Sequence, residues 1–194
     1  MAGPRCCGAK VNDESTLIDQ AARGDGAAFG QLVQIHQDRL YNAIVHLAGD
    51  RAEAEDIVQE AFLQAYLKLA SFQRQSAFYT WLYRIAFNNT VSRKRRKRVE
   101  SSVDRAREQA GDEPPAKDDA PGVRLEREEE AERIQRALHT LTDEHRAILV
   151  LREIDGLDYE AIAEILSINI GTVRSRLHRA RGQLRDQLVE HPEE

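Results

Sequence analysis

A chain of 194 residues with 41% hydrophobic and 6% aromatic content is long enough to bury one large core or two small ones. Its formal net charge of −5 argues against a protein that holds nucleic acid by bulk charge, and no apolar run reaches the length of a membrane span or a secretory signal. The expected compartment is the cytoplasm. Long windows rich in Ala, Leu, Glu, Arg and Gln, without alternating β-branched stretches, predict an all-α protein.

Residues 1–12 read as a disordered tail. The tail holds both cysteines, Cys6 and Cys7. Adjacent residues make a strained disulfide, and no His or Cys stands at zinc-ligand spacing from them, so they read as reduced thiols. A first domain is expected over 13–98. It opens with a short helix from Asp13 to Ala22, with Leu17 and Ile18 inward and Gly24 as its stop. A longer helix, Gly26 to Leu47, carries Phe29, Leu32, Val33, His36, Leu40, Ile44 and Leu47 as one apolar stripe. His36 on that stripe reads as a packed histidine, not a metal ligand. Asp50-Arg51-Ala52-Glu53 resembles a capping box and starts a third helix running to about Leu69, with Ile57, Val58, Ala61, Phe62, Ala65 and Leu69 inward. Its outer face bears Glu53, Asp56, Gln59, Glu60 and Gln64.

A polar loop, Ser71 to Gln75, precedes a helix that Ser76 can cap. Five aromatics follow within ten residues, Phe78, Tyr79, Trp81, Tyr83 and Phe87, and Arg74, Arg84 and the run Arg93 to Arg98 bracket them. Rings interleaved with cations suit unpaired nucleic acid, because each stacked base contributes about 1–3 kcal/mol. The helical period places Phe78, Leu82 and Ile85 inward, and Tyr79, Tyr83 and Trp81 nearer the surface.

Periodicity stops over 99–124, where EQAGDEPPAKDDAPG is acidic and proline-rich; a flexible linker is expected there. A second domain spans 125–190. Its first helix, Leu125 to Thr140, turns Ala131, Ile134, Leu138 and Leu141 to one side. Thr142 caps the next, whose core contacts are Ala147, Ile148, Val150, Leu151 and Ile154, and Gly156 ends it. Asp158 then caps a short helix bearing Ile162, Ile165 and Leu166. The pattern breaks over Leu166 to Asn169, and Asn169 caps a helix with Val173, Leu177 and Ala180 on one side. That is a helix-turn-helix. Thr172, Arg174, Ser175, Arg176, His178 and Arg179 supply the hydroxyls and guanidinium groups that duplex reading needs at base edges and phosphates.

Four stretches then carry a resemblance: AEDIVQEAFLQAYLKLASF (54–72), SAFYTWLYRIAFN (76–88), LREIDGLDYEAIAEIL (151–166) and GTVRSRLHRAR (171–181). In this order they closely resemble the bacterial sigma-70 family, in its extracytoplasmic-function (ECF, group IV) branch. The resemblance implies a region 2 domain and a region 4 domain that bind core RNA polymerase and direct promoter-specific initiation. It implies docking on the clamp helices of the β′ subunit through Asp56, Gln59, Glu60 and Phe62, and an approach to the β flap. It further implies capture of the −10 element as a melted strand by Phe72, Arg74, Ser76, Tyr79, Thr80, Trp81, Tyr83, Arg84 and Asn88, and duplex reading of the −35 element by the helix from Gly171 to Arg181. Promoter DNA is thus the implied ligand, and a cognate anti-sigma factor, often membrane-bound, an implied partner.

A stand-alone helix-turn-helix regulator is the rival reading, but it leaves 54–88 unexplained. An enzyme is not expected. The six histidines are scattered without metal-ligand spacing and no glycine-rich phosphate loop precedes a helix, so neither metal nor cofactor is anticipated.

Overall fold

The structure, a computed structural model, describes residues 9–104 and 133–190, and within them every regular element is a helix. The tail cysteines, the proline-rich stretch and Ala131 lie outside the described residues. Two compact units form. One holds the described residues up to Asn89 and the short stretch Glu164–Ser167; the other holds those from Thr90 to Ala163 and from Ile168 onward.

In the first unit, α1 is Ala9–Ala22. It starts ahead of the expected Asp13, because nothing between Gly8 and that residue breaks a helix. Leu17, Ile18 and Ala21 bury its inner face. Gly24 takes φ +98°, a conformation natural to glycine, and the next residue, Asp25, caps α2 (Gly26–Ala48) by accepting from the N–H of Ala27 at 2.9 Å and Ala28 at 3.1 Å. Leu32, Leu40 and Ile44 of α2 are fully buried. α3 (Arg51–Lys68) is capped by Asp50, which accepts from Glu53 N at 2.7 Å. All six residues expected on its inner face are buried. Phe29 of α2 meets Phe62 of α3 edge to face, 6.5 Å between centroids. Each such buried apolar side chain contributes about 1.5–3 kcal/mol. That exceeds the roughly 0–1 kcal/mol of an exposed ion pair, so the α1–α3 core holds the domain together.

A single 3-10 turn, Leu69–Ser71, leads to the loop before α4 (Phe78–Asp104). This helix passes the expected boundary at 98, since Arg98, Val99 and Glu100 offer no breaker.

The second unit contains α5 (described over 133–140), α6 (Asp143–Leu149), the first five residues of α7 (Tyr159–Leu166) and α8 (Ile170–Glu190). Three caps follow the sequence reading. Thr142 accepts from His145 N, Asp158 from Ala161 N, and Asn169 from Thr172 N. Two apolar assignments do not. On α5, Ala137 and Leu138 are buried and Ile134 faces out. On α6, the last turn widens into a π turn, Val150–Ile154, closed by Asp155 N donating to Val150 O at 2.9 Å. The wider turn spends one extra residue, so Leu151 stays inward and Ile154 is carried to the surface.

Arg146 holds this unit's first two helices together. It is buried, and its guanidinium donates to the carbonyls of Leu138 at 2.9 Å, His139 at 2.9 Å and Leu141 at 3.2 Å. These carbonyls lie at and just beyond the end of α5, where the helix supplies no i+4 donors; Leu138 O also accepts from Leu141 N at 3.2 Å, and the cation faces the negative end of the α5 dipole.

Candidate nucleic-acid and polymerase interfaces

The loop Phe72–Ala77 and the start of α4 form the first candidate surface. Phe72 lies 4.9 Å from Trp81 and 5.9 Å from Phe78, and Phe78 lies 5.8 Å from Trp81. Phe78 is buried, leaving Phe72 and Trp81 partly open. Trp81, Arg84 and Asn88 follow at i, i+3 and i+7, so they share one accessible face of α4. Ser76 is half-buried at the loop's end.

The expected split of aromatics is corrected here. Tyr79 (5% exposed), Tyr83 (0%) and Thr80 (5%) are inside, so their side chains support the face from below. The reason is a layer of rings and cations between α2 and α4. His36 lies 5.4 Å from Phe78 and 5.6 Å from Tyr79, Arg39 sits 4.0 Å over Tyr79, and Tyr79 meets Tyr83 at 6.0 Å. Three successive residues, Phe78 to Thr80, are thus buried at a helix start, which a single inward stripe does not anticipate. His36 is a packed histidine, and its Nε2 lies 3.2 Å from Glu14 Oε1. Burial pushes its pKa below the ordinary value despite the Glu14 carboxylate, and Arg39 acts in the same direction as burial.

Arg74 does not point along this face. Its backbone is left-handed, φ +55°, and its guanidinium donates to Ser15 Oγ at 3.1 Å and pairs with Asp19, both on α1. Nothing in the sequence pattern marks that contact.

The second candidate surface is α8. Val173, Leu177 and Ala180 are buried and anchor it, and Arg174, Ser175, His178 and Arg179 are exposed. Two expected readers are already engaged. Thr172 Oγ1 donates to Asn169 Oδ1 at 2.8 Å as part of the cap, and Arg176 pairs with Glu144 of α6 at 3.1 Å. Arg181 donates twice to Glu153, at 2.9 and 2.6 Å. Ser175 Oγ donates to Thr172 O at 3.1 Å. The turn before α8 places Ser167 at φ +54°, and Ile168 N reaches back to Ala163 O at 3.0 Å, the bond pattern of a Schellman cap.

The third surface is the outer side of α3. Asp56 and Gln59 are exposed, and half-buried Glu60 accepts from Gln64 at 3.1 Å. Phe62 is only 6% exposed and packs under the surface, not on it. Leu63 (60%) and Leu67 (72%) extend the outer stripe instead. The sequence reading assigned these two no role. Their signal was an apolar residue at i+4 and i+8 from Gln59.

A helix-turn-helix and an aromatic and cationic helix face in one two-domain, all-α chain are the features of a DNA-binding transcription factor. The sequence from 32 to 100 matches the family described as sigma-70 region 2, and 131–184 matches sigma-70, region 4. Along 178 residues the chain is 41% identical to the ECF RNA polymerase sigma factor SigW of Bacillus subtilis, covering 88% of this chain and 94% of that one. The fold is similar to CnrH, solved in complex with the cytosolic domain of CnrY, at TM-score 0.69 and 27% identity over 93% of this chain and 99% of that one. It is also similar to the sigma factor RpoE of Bartonella quintana, solved with the anti-sigma factor NepR, at TM-score 0.67 and 27% identity over 82% and 96%. The chain belongs to the ECF branch of the sigma-70 family. It is an RNA polymerase sigma factor that directs transcription initiation, and the stand-alone regulator is not favoured, because the match includes the first domain as well as the helix-turn-helix.

Proposed function

We propose that this sigma factor reads its promoter in two physical forms. The −10 element is taken as an unpaired strand on Phe72, Trp81, Arg84 and Asn88, with Ser76 at the loop's end and Tyr79, Thr80 and Tyr83 as the buried support. Unpaired bases offer π faces and a flexible phosphate backbone, and open rings alternating with cations match both. The −35 element is read as duplex by Arg174, Ser175, His178 and Arg179, with Thr172 fixing the helix start and Arg176 held by Glu144. Core polymerase docks on Asp56, Gln59 and Glu60, with Leu63 and Leu67 continuing the surface; the implied partner is the clamp of the β′ subunit, with the β flap meeting the second domain. The observation that carries the reading is the accessible stripe Trp81–Arg84–Asn88 beside Phe72, whose ring lies 4.9 Å from that of Trp81.

The protein acts by binding, with no bond change of its own, and works in the cytoplasm; no described helix is long and apolar enough to cross a membrane. Two neighbours in fold were solved with partners, one of them an anti-sigma factor, so a cognate anti-sigma factor is proposed here too. The test is reconstitution with bacterial core polymerase followed by run-off transcription from a random promoter library. Recovery of a two-part consensus, with the upstream part bound as duplex and the downstream part bound only when unpaired, is the expected result. Transcripts that ignore either part refute the corresponding assignment.

A further inference from the structure

α1 lies against α2 and against the 3-10 turn that opens the strand-capturing loop, and it precedes the segment matched by the region 2 family. Two polar ties run from it into the rest of the unit. Glu14 meets His36, which lies under Phe78 and Tyr79, and Ser15 with Asp19 holds Arg74 in the loop itself. The second tie spans more than fifty residues of sequence and fixes a residue whose backbone is unfavourable. A left-handed arginine has steric strain. An exposed ion pair alone is worth little, so the pair with Asp19 and the bond to Ser15 together are of the same order as that strain. Two residues before Arg74 stands Phe72, whose ring packs at a tilt against Trp81.

We propose that α1 is a positioning element for promoter-strand capture. Asp19 and Ser15 hold Arg74, and the held Arg74 sets the path of the loop that presents Phe72 to the strand. The proposal rests on the strand-capture reading above. It assigns Arg74 to orientation, with its guanidinium occupied on the protein, and gives α1 a task in initiation. Asp19 acts through Arg74 and touches no DNA.

The experiment uses the full chain reconstituted with core polymerase, and a promoter selected by the unaltered holoenzyme, prepared as plain duplex and with a pre-opened bubble over the −10 element. Asp19→Asn and the double variant Ser15→Ala/Asp19→Asn are expected to lose about three- to tenfold in bubble binding, as for loss of a weak positioning contact. Core association and retention of the −35 duplex stay unchanged, and Asp19→Glu restores bubble binding. Arg74→Gly, which relieves the backbone but cuts the tie, is expected to lose bubble binding by a similar factor while melting like the unaltered chain. Unchanged bubble binding in the Asp19 variants overturns the proposal, and so does tighter binding, which would mean that Asp19 competes with DNA for Arg74. Failure of the underlying reading is distinguishable: the unaltered holoenzyme itself would then bind bubble and duplex promoters equally.

Discussion

Arg146 shows how much one side chain can carry. Replacing it with Leu keeps a buried aliphatic stem but takes one donor from each of three carbonyls, and a buried polar group that loses its donor costs more than the bond contributed. Arg146→Leu is expected to cost about 2–4 kcal/mol in urea unfolding, and Arg146→Lys to recover only part, because an ammonium cannot span three acceptors as a planar fork does. His36 is the titrating counterpart. Its folded pKa lies below that of the unfolded chain, so the folded protein binds fewer protons, and the stability that neutral His36 contributes is fully present above about pH 6.5 and lost as pH falls below it. The urea midpoint of the unaltered protein should drop between pH 7 and pH 5, and His36→Gln should flatten that segment while lowering the pH 7 value, since the ring packing on Phe78 and Tyr79 goes too. A midpoint as steep in the variant as in the original would assign the acid sensitivity to other groups. Neither residue's full role was legible in sequence. An arginine's distant carbonyls leave no local pattern, although His36 was correctly placed on a packed face because its spacing with Leu32 and Leu40 is a local property.

At the level of elements, most of what the sequence announces is announced at helix ends. Asp50, Thr142, Asp158 and Asn169 all accept where their positions predicted, because a cap involves residues three apart and little else. What failed was orientation along α4, where one ring-rich helix is packed on more than one side, and along α6, where a π turn shifts the period. The turn between α7 and α8 carries a further expectation. Ser167 occupies the left-handed position usually given to glycine, so Ser167→Gly should stabilise the second domain by about 0.5–1 kcal/mol or leave it unchanged, and Ser167→Val should destabilise it by more than that. Thermal melts of the two variants check the order. Equal stability would mean that the turn adapts without strain.

For the whole molecule, the net charge of −5 conceals a division of labour among arginines. Glu144 and Glu153 already hold Arg176 and Arg181, whereas Arg174 and Arg179 stand exposed on the same helix. Each phosphate contact adds about 0.9 to the logarithmic salt slope of duplex binding. The double variant Arg174→Ala/Arg179→Ala should therefore lower the holoenzyme's slope on −35 duplex by about two, and Arg181→Ala should leave it nearly unchanged. A slope that falls equally in both would show that the acidic partners release their arginines on DNA. That there are two domains is the most legible feature, since two periodic halves stand apart in the sequence without reference to any contact, although the compact units part between Asn89 and Thr90, inside α4, ahead of the expected boundary at 98. The partner surfaces were less so. Phe62 belongs to the motif yet sits in the core, and Leu63 and Leu67, which the motif argument passed over, are the apolar residues on the outside.

The π turn at the end of α6 also bears on how this chain can change in length. A helix turns about 100° per residue, and the widened turn absorbs one residue without passing that rotation on, so deleting one residue between Val150 and Ile154 would let the turn close into ordinary α-helix while the chain after it keeps its direction. Arg176 would keep its partner Glu144. One residue more has no such slack: it would swing the recognition helix against α5 and α6 and part that pair. The π turn is thus a reserve of length, and the chain tolerates shortening there better than lengthening.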